Sequence, residues 1–382
     1  MDDKQKLVPA VSREVFIFLV IFVGIFGAIG HRMGVINMIN TIMSSAYSMI
    51  MNVCFYIMGV AVVAGALSGI LGEFGVIALI DKFLSKLMKP VYDLPGAASL
   101  GVLTCYMSDN PAILSLAKDQ NFTRYFKRYQ LPALTNIGTS FGMGLIITST
   151  MMGLKLSGSI KAALIGNIGA IIGSIVSVRI MMTFTKKYYG TTDSALNYAA
   201  LEDRKLRVVR TGSVGTRAIN SLLEGGRNGV DMGLTIIPGV VVICSLVLLL
   251  TNGVGPEGYT GAANEGVAFL PWIGEKLSFI LNPLFGFQNP TSIAVPITAL
   301  GSAGAAMGLV PGLVETGSVT GNEIAVFTAI CMCWSGYLST HVAMMDSLGA
   351  KDLTGKAILS HTIGGITAGI AANLIYKVLM LF

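Results

Sequence analysis

The chain has 382 residues, of which 53% are hydrophobic and only 12% charged, with a formal net charge of +6. Soluble domains carry about 25% charged residues, and several uncharged apolar runs here exceed the roughly 18 residues that signal a membrane helix, so a soluble enzyme is excluded. The basic excess does not indicate nucleic-acid binding, because membrane proteins hold their surplus Lys and Arg in cytoplasmic loops. The chain reads as an all-α polytopic membrane protein.

In chain order, a polar tail (1–13) precedes a first span at about 14–30. That span ends at His31-Arg32 without a small-residue cleavage site, so it is expected to be retained. Span two follows at about 46–70. In LIDKFLSKLMKPVYDLPG (79–96), Lys82, Lys86 and Lys89 recur at helical spacing among Phe83, Leu84 and Leu87. This predicts a helix lying in the membrane interface. Residues 97–117 are apolar at both ends, with the turn sequence Ser108-Asp109-Asn110-Pro111 between. A re-entrant helical hairpin is predicted, since irregular backbone at membrane depth is tolerated only inside protein or along a wet cavity. Span three (129–153) carries Thr135, Asn136, Thr139 and Ser140, and span four is at 158–185. Residues 186–228 read as a basic cytoplasmic linker.

The order then recurs. Span five (229–252), an amphiphilic stretch (269–290), a second interrupted run (291–314) centred on Gly301-Ser302-Ala303-Gly304, span six (323–346) and span seven (355–380) follow. KAALIGNIGAIIGSI (161–175) and KAILSHTIGGITAGI (356–370) share seven of fifteen residues at an offset of 195, including Gly169/Gly364. Pro90/Pro283, Tyr92/Phe285 and Leu94/Phe287 align at 193. The predicted organisation is thus an N-terminal tail and first helix (1–45), a first repeat (46–185), the linker (186–228) and a second repeat (229–382). Each repeat holds an odd number of spans, so the second copy inserts upside down. Twenty of the 26 Lys and Arg residues fall on one side if the N-terminus is inside, and 253–274 has none. The expectation is an inner-membrane protein with N-terminus inside and C-terminus outside, with seven transmembrane helices and two oppositely inserted hairpins.

Inverted repeats with discontinuous helices mark secondary transporters. The order of elements over about 45–382 resembles the core of the concentrative nucleoside transporters. Ser108-Asp109-Asn110-Pro111 sits where that family has a Thr-Glu-Ala-Pro type tip. LLEGGRNGVDMGLTIIPGVVVI (222–243) and ALGSAGAAMGLVPGLVETGSVTGNEIAVFTAI (299–330) resemble the Gly-rich helices of nucleoside-recognition (Gate) membrane proteins. The family's Asn-Glu-Phe motif at the second tip is absent. Asn322-Glu323 instead opens span six, where an N-cap role is expected. The family's Asn and Ser pattern in the penultimate span is replaced by Trp334–His341. The resemblance implies a solute site between hairpin tips and spans three and six, and a trimer in relatives that carry extra spans.

Asp109 is the leading candidate, since a carboxylate in an apolar run is costly and usually functional; a turn residue reaching water is the competing reading. Ser108, Asn110 and Ser302 at the tips, Asn136, Thr139 and Ser140 in span three, and Ser335, Ser339 and Thr340 in span six are candidate solute or ion ligands. Each of the span residues serves equally for bonding between helices. His341 is a candidate proton carrier or a structural histidine, and His361 has the same pair of readings. Arg179 is expected at the interface or paired with Asp231. The five cysteines lack CxxC spacing, and no P-loop, metal cluster or nucleophile triad is visible. No cofactor is expected. The candidate coupling ions are Na+ and H+, and the expected partners are the bilayer, a small-molecule or ion substrate and a second copy in a homo-oligomer. Two functions stay open: a secondary transporter of a small polar solute, nucleoside-like or otherwise, and a non-transporting scaffold or regulatory Gate protein.

Overall fold

The computed structural model describes residues 9–110, 112–113, 125–191, 209–255 and 257–380. Among these, the regular structure is helical apart from one isolated bridge, Gly255 to Gly258. Helix α1 (Arg13–Met33) is apolar and exposed along most of its length, as a lipid-facing span should be. Helices α2 (Val35–Ser48) and α3 (Phe55–Glu73) are continuous through a π-helical segment, Met49–Cys54. Helix α4 (Val76–Tyr92) and α5 (Ala98–Met107) follow. Then come α6 (Ala133–Phe141), α7 (Gly144–Met152) and α8 (Ser159–Tyr189).

In the second half, α9 (Val214–Gly239) and α10 (Ser245–Thr251) are again joined by a π-helical segment, Val240–Cys244. Helices α11 (Phe269–Lys276) and α12 (Ser278–Phe285) match α4. Helices α13 (Ala294–Gly301) and α14 (Ala303–Glu315) form the second hairpin. Helices α15 (Gly321–Cys333), α16 (Tyr337–Ser347) and α17 (Thr354–Leu379) complete the chain. One end of the bundle, the linker face, holds the end of α8 and the start of α9. The other, the loop face, holds residues 252–268.

The stretch expected as a linker is shorter than 186–228. Helix α8 continues to Tyr189 and stops at Gly190, whose φ of 76° suits glycine. Helix α9 begins at Val214, where Ser213 Oγ accepts from the Thr216 amide. The polar first turns of α9 escaped a hydropathy reading because they stand beyond the apolar part of the helix. Span two likewise starts early, at Val35, because α2 adds its turns to α3.

The inverted repeat is visible in contacts that are reciprocal. Helices α8 and α17 run antiparallel: Lys161 Nζ donates to Leu379 O at the loop face, and Tyr188 Oη donates to Asp352 at the linker face. A Cβ on Gly169 would lie 2.7 Å from Ala368 O, and one on Gly173 would lie 2.4 Å from Gly364 O. At the offset of 195, Gly169 corresponds to Gly364 and Gly173 to Ala368. Each contact is therefore the two-fold image of the other. Small residues let the two backbones meet, which is how membrane helices associate without a hydrophobic drive. Helices α3 and α9 cross just as closely: a Cβ on Gly65 would lie 2.3 Å from Gly225 O, and one on Gly225 2.2 Å from Gly65 O.

The caps repeat as well. The backbone turns left-handed after α4 at Asp93 (φ 58°) and after α12 at Gly286 (φ 72°). Gln130 Nε2 donates to Asp93 O, and its counterpart Glu323 accepts from Gln288 N at 3.0 Å. Arg179 donates to the Pro90 and Val91 carbonyls, while Asn373 donates to those of Pro283 and Leu284. Arg179 thus caps α4, a more specific role than an interfacial residue or a partner of Asp231. Asn322 and Glu323 fall in the N-terminal turn of α15, where Thr320 and Glu323 form a capping box.

Candidate functional site

Spans three and six were expected to be continuous. Both are broken. Span three divides at Gly142-Met143 between α6 and α7, and span six at Trp334–Gly336 between α15 and α16. The pivots correspond at offset 193: Met143 has φ 55° and Gly336 has φ 61°. Gly336 adopts this conformation freely, whereas Met143 is an uncommon non-glycine there. Gly142 and Gly144 on either side of Met143 allow the close approach. A Cβ on Gly144 would fall 2.2 Å from the Tyr106 ring.

The first hairpin tip lies against both breaks. Asn110 Nδ2 donates to Ser335 O at 3.3 Å, and Ser335 Oγ donates to Asp109 Oδ1 at 3.5 Å. The same carboxylate oxygen accepts from the Asn110 amide at 2.7 Å. Gly142 fills the remaining corner: a Cβ there would lie 2.9 Å from Asn110 Cβ and 2.9 Å from Ser335 Oγ. Three interrupted elements therefore converge on Asp109, Asn110, Gly142 and Ser335. Helices α5, α6 and α15 end here and α7 and α16 begin, so carbonyl and amide groups without helical partners crowd one place. Such an oxygen-rich set suits a hard cation or a polar solute.

A cavity of about 250 Å³ runs from the linker face as far as Ser108, the residue before Asp109. It runs between α3, α9 and α5, and its polar lining includes Ser68, Thr104, Ser108, Ser221 and Asn228. Arg210 and Glu224 stand at its mouth. Arg210 Nη1 pairs with Glu73 Oε2 at 2.6 Å and Arg210 Nη2 with Glu224 Oε2 at 2.5 Å, and Arg217 Nε adds a bond to Glu73 Oε1 at 2.7 Å. A second cavity, about 530 Å³, opens at the loop face along the arms of the second hairpin. Its lining includes Ala294 and Gly308 but stops short of Ser302.

The expected site residues divide into groups. Asp109, Asn110 and Ser335 come together, and Ser108 lines the cavity beside them while its hydroxyl bonds to Thr104 O. Ser140 sits next to the span-six break through Cys333 Sγ, 3.9 Å away. Thr139 and Ser140 otherwise bond back to the carbonyls of Thr135 and Asn136. Asn136 reaches away from the tip, to Ser177 Oγ at 2.9 Å and Ala357 O at 3.2 Å, and holds α6 against α8 and α17. Ser302 caps α14 through the Ala305 amide. Cys244 Sγ donates to Ala305 O, which places the second tip against the π-helical segment of the α9–α10 helix rather than at Asp109. His341 is buried in an aromatic cluster, its ring 4.7 Å from that of His361 and 5.6 Å from that of Tyr337. His361 bonds Ser177 Oγ and Cys333 O. The side chains of Ser339 and Thr340, and all of Pro111 and of 114–117 in the predicted first hairpin, lie outside the described residues.

Sequence reasoning missed Tyr106, Thr148 and Asn167, which bond to one another beside the first hairpin. Asn167 stood in the opening half of the repeat as a lone amide, and that was the available signal.

No family model matches the chain, and no curated protein matches it. Its fold is similar to solved structures of the transporter CNTnw. An inward-facing, substrate-bound CNTnw structure gives a TM-score of 0.55 at 13% identity, covering 85% of this chain and 75% of that one. An outward-facing double mutant gives 0.54 at 13% identity, covering 96% and 85%. An intermediate-state mutant gives 0.53 at 13% identity, covering 84% and 75%. At this level of identity the likeness is one of fold.

Proposed function

We propose that the chain is a secondary transporter that moves a small polar solute across the cytoplasmic membrane by alternating access, coupled to Na+ or H+. The observation that carries this reading is the meeting of Asp109, Asn110 and Ser335 next to Ser108, the residue at which a cavity from one face stops. A cavity that approaches a polar cluster from one side is what one half of an alternating-access cycle requires. The likeness to structures of CNTnw in inward-facing, outward-facing and intermediate states supports the same reading. The linker face is the cytoplasmic one, because the basic residues gather there.

The solute is small, neutral or weakly charged and rich in hydroxyl or amide groups. The cavity's polar lining consists of hydroxyls and an amide, with its charges confined to the mouth. A nucleoside meets that description, but the second tip offers Ser302 where the nucleoside transporters have an acid. Purified protein in proteoliposomes, tested first with uridine and then with a panel of polar metabolites under Na+ and pH gradients, tests the reading. Saturable, gradient-dependent uptake that Asp109→Asn abolishes without lowering the thermal midpoint is expected. Absence of uptake and of any solute-induced thermal shift would favour the scaffold reading. Full uptake in the Asn variant would remove Asp109 from the mechanism.

A further inference from the structure

Helix α4 has three distinct faces. At 100° per residue, Met88 and Tyr92 face the bundle and are each only 4% exposed. Val76, Leu79, Ile80, Phe83 and Leu87 fill an adjoining arc of about 100° and are exposed, Phe83 by 63%. Lys82, Lys86 and Lys89 occupy a third arc of about 60°, and all three are exposed. A helix with an exposed apolar arc bordered by a cationic one lies flat in the interface, with rings and aliphatic chains among acyl tails and ammonium groups at headgroup depth.

Among the described residues no carboxylate pairs with these lysines. The helix carries one acid, Asp81, against three lysines. The carboxylate at its C-terminal cap, Asp93, is already paired with Lys186 Nζ at 2.6 Å. The inverted counterpart provides a control within the molecule. Helices α11 and α12 also expose apolar side chains, among them Phe279 and Trp272, but their only charges are Glu275 and Lys276. The repeat has thus kept the lipid-facing apolar surface on both faces and a lysine row on one.

We infer that Lys82, Lys86 and Lys89 form a docking site for anionic phospholipid headgroups in the leaflet at the linker face. The site bears on the first hairpin. Gly96, at the root of α5, packs on α4 so closely that a Cβ would lie 3.0 Å from Ser85 O. The far end of α4 is fixed to α8 by Tyr92 Oη on Ser174 Oγ at 2.7 Å and by Arg179 on its last carbonyls. Headgroups held by the lysine row therefore brace the platform from which the hairpin carrying Asp109 projects.

The experiment titrates DOPG or DOPC into the full-length detergent-solubilised protein and follows the thermal midpoint. DOPG is expected to raise the midpoint at concentrations where DOPC does not. Each Lys→Gln change should raise the DOPG needed by about fivefold, as expected for a lysine near an anionic surface, and the triple variant K82Q/K86Q/K89Q should lose the preference. Lys276→Gln should leave the titration unchanged. A DOPG response that survives in the triple variant, or no preference for DOPG in the wild type, overturns the proposal. A glycerol phosphate titration that reproduces the DOPG shift overturns it in favour of a free-anion site. If the triple variant fails to fold in DOPC, the single variants carry the test, and unchanged DOPG titrations in all three overturn the site.

Discussion

The Cys333 thiol lies 3.9 Å from the Ser140 hydroxyl, and the two residues hold the same place in the two halves of the chain. Each stands three residues before a left-handed pivot, Met143 or Gly336. A residue can touch its own counterpart only beside the axis that relates the copies. The pseudo-two-fold axis therefore passes next to the breaks in spans three and six, and the first hairpin tip lies against it.

Gly142→Ala should separate binding from folding. Its Cβ meets Asn110 and Ser335 at 2.9 Å, so the hairpin tip must shift. Overpacking of this kind costs about 1–3 kcal/mol, or about tenfold in binding per 1.4 kcal/mol. Solute-dependent thermal shift or uptake should weaken by about tenfold or more, with a smaller change in the thermal midpoint of the empty protein. An unchanged solute response would place the site elsewhere.

Gly173→Ala should destabilise the bundle outright. The added methyl would fall 2.4 Å from Gly364 O and 2.5 Å from Ala368 Cβ, both on a helix that cannot retreat cheaply. A loss of about 1–3 kcal/mol is expected. Gly355→Ala, with open space around it, should be neutral or slightly stabilising. Denaturation of both variants in the same detergent is the comparison.

Glu73→Gln should loosen the start of α9. Glu73 accepts from both the guanidinium and the amide of Arg210 and also pairs with Arg217. With its charge gone, tryptic cleavage after Arg210 and Arg217 should quicken several-fold, and high salt should produce part of the same effect in the wild type. A cleavage rate unaffected by the substitution would mean that the segment is held by other contacts.

Glu265 predicts an acid dependence at the loop face. Burial alone would raise its pKa, but hydrogen bonds from Thr260, Gly261 and Thr41 outweigh this and hold it below the ordinary value. A depressed folded pKa gives stability that is fully present above the unfolded value of about 4.3 and lost as pH falls through the folded one. The difference in thermal midpoint between wild type and Glu265→Gln should be constant from neutral pH down to about pH 5 and shrink below about pH 4. A difference that grows with acid would contradict the assignment.

The duplication was legible because the copies kept both a close helix crossing, Gly169/Gly364, and an exposed apolar face, Leu164/Leu359, Ile168/Ile363 and Ile171/Ile366. The turn after α5 was legible because Asp109 and Asn110 interrupt an apolar run, and the turn between α13 and α14 because Gly301-Ser302 does. The breaks in spans three and six were not read from the sequence, although Phe141-Gly142-Met143-Gly144 and Trp334-Ser335-Gly336 spell them out. A hydropathy window averages across one left-handed residue, and glycine is common in continuous membrane helices too. The π-helical segments left no compositional trace. They lie where the two helices pack against each other, Met49–Cys54 against Val240–Cys244. Asn136 looked like a ligand because its residue type and spacing suit one; only the position of Ser177 and Ala357 O shows that it faces a neighbouring helix.

The helix formed by α2, its π-helical segment and α3 has 39 residues. At 1.5 Å per residue it is about 58 Å long, nearly twice the roughly 30 Å hydrocarbon thickness. Its apolar part alone, 46–70, spans about 37 Å, so it leans, and it crosses the α9–α10 helix at Gly65 and Gly225. A leaning strut converts a change in bilayer thickness into a change of angle. The first hairpin's cavity is bounded by α3 and α9, so thinner or thicker membranes should widen or narrow its mouth, making lipid chain length a mechanical input to this protein.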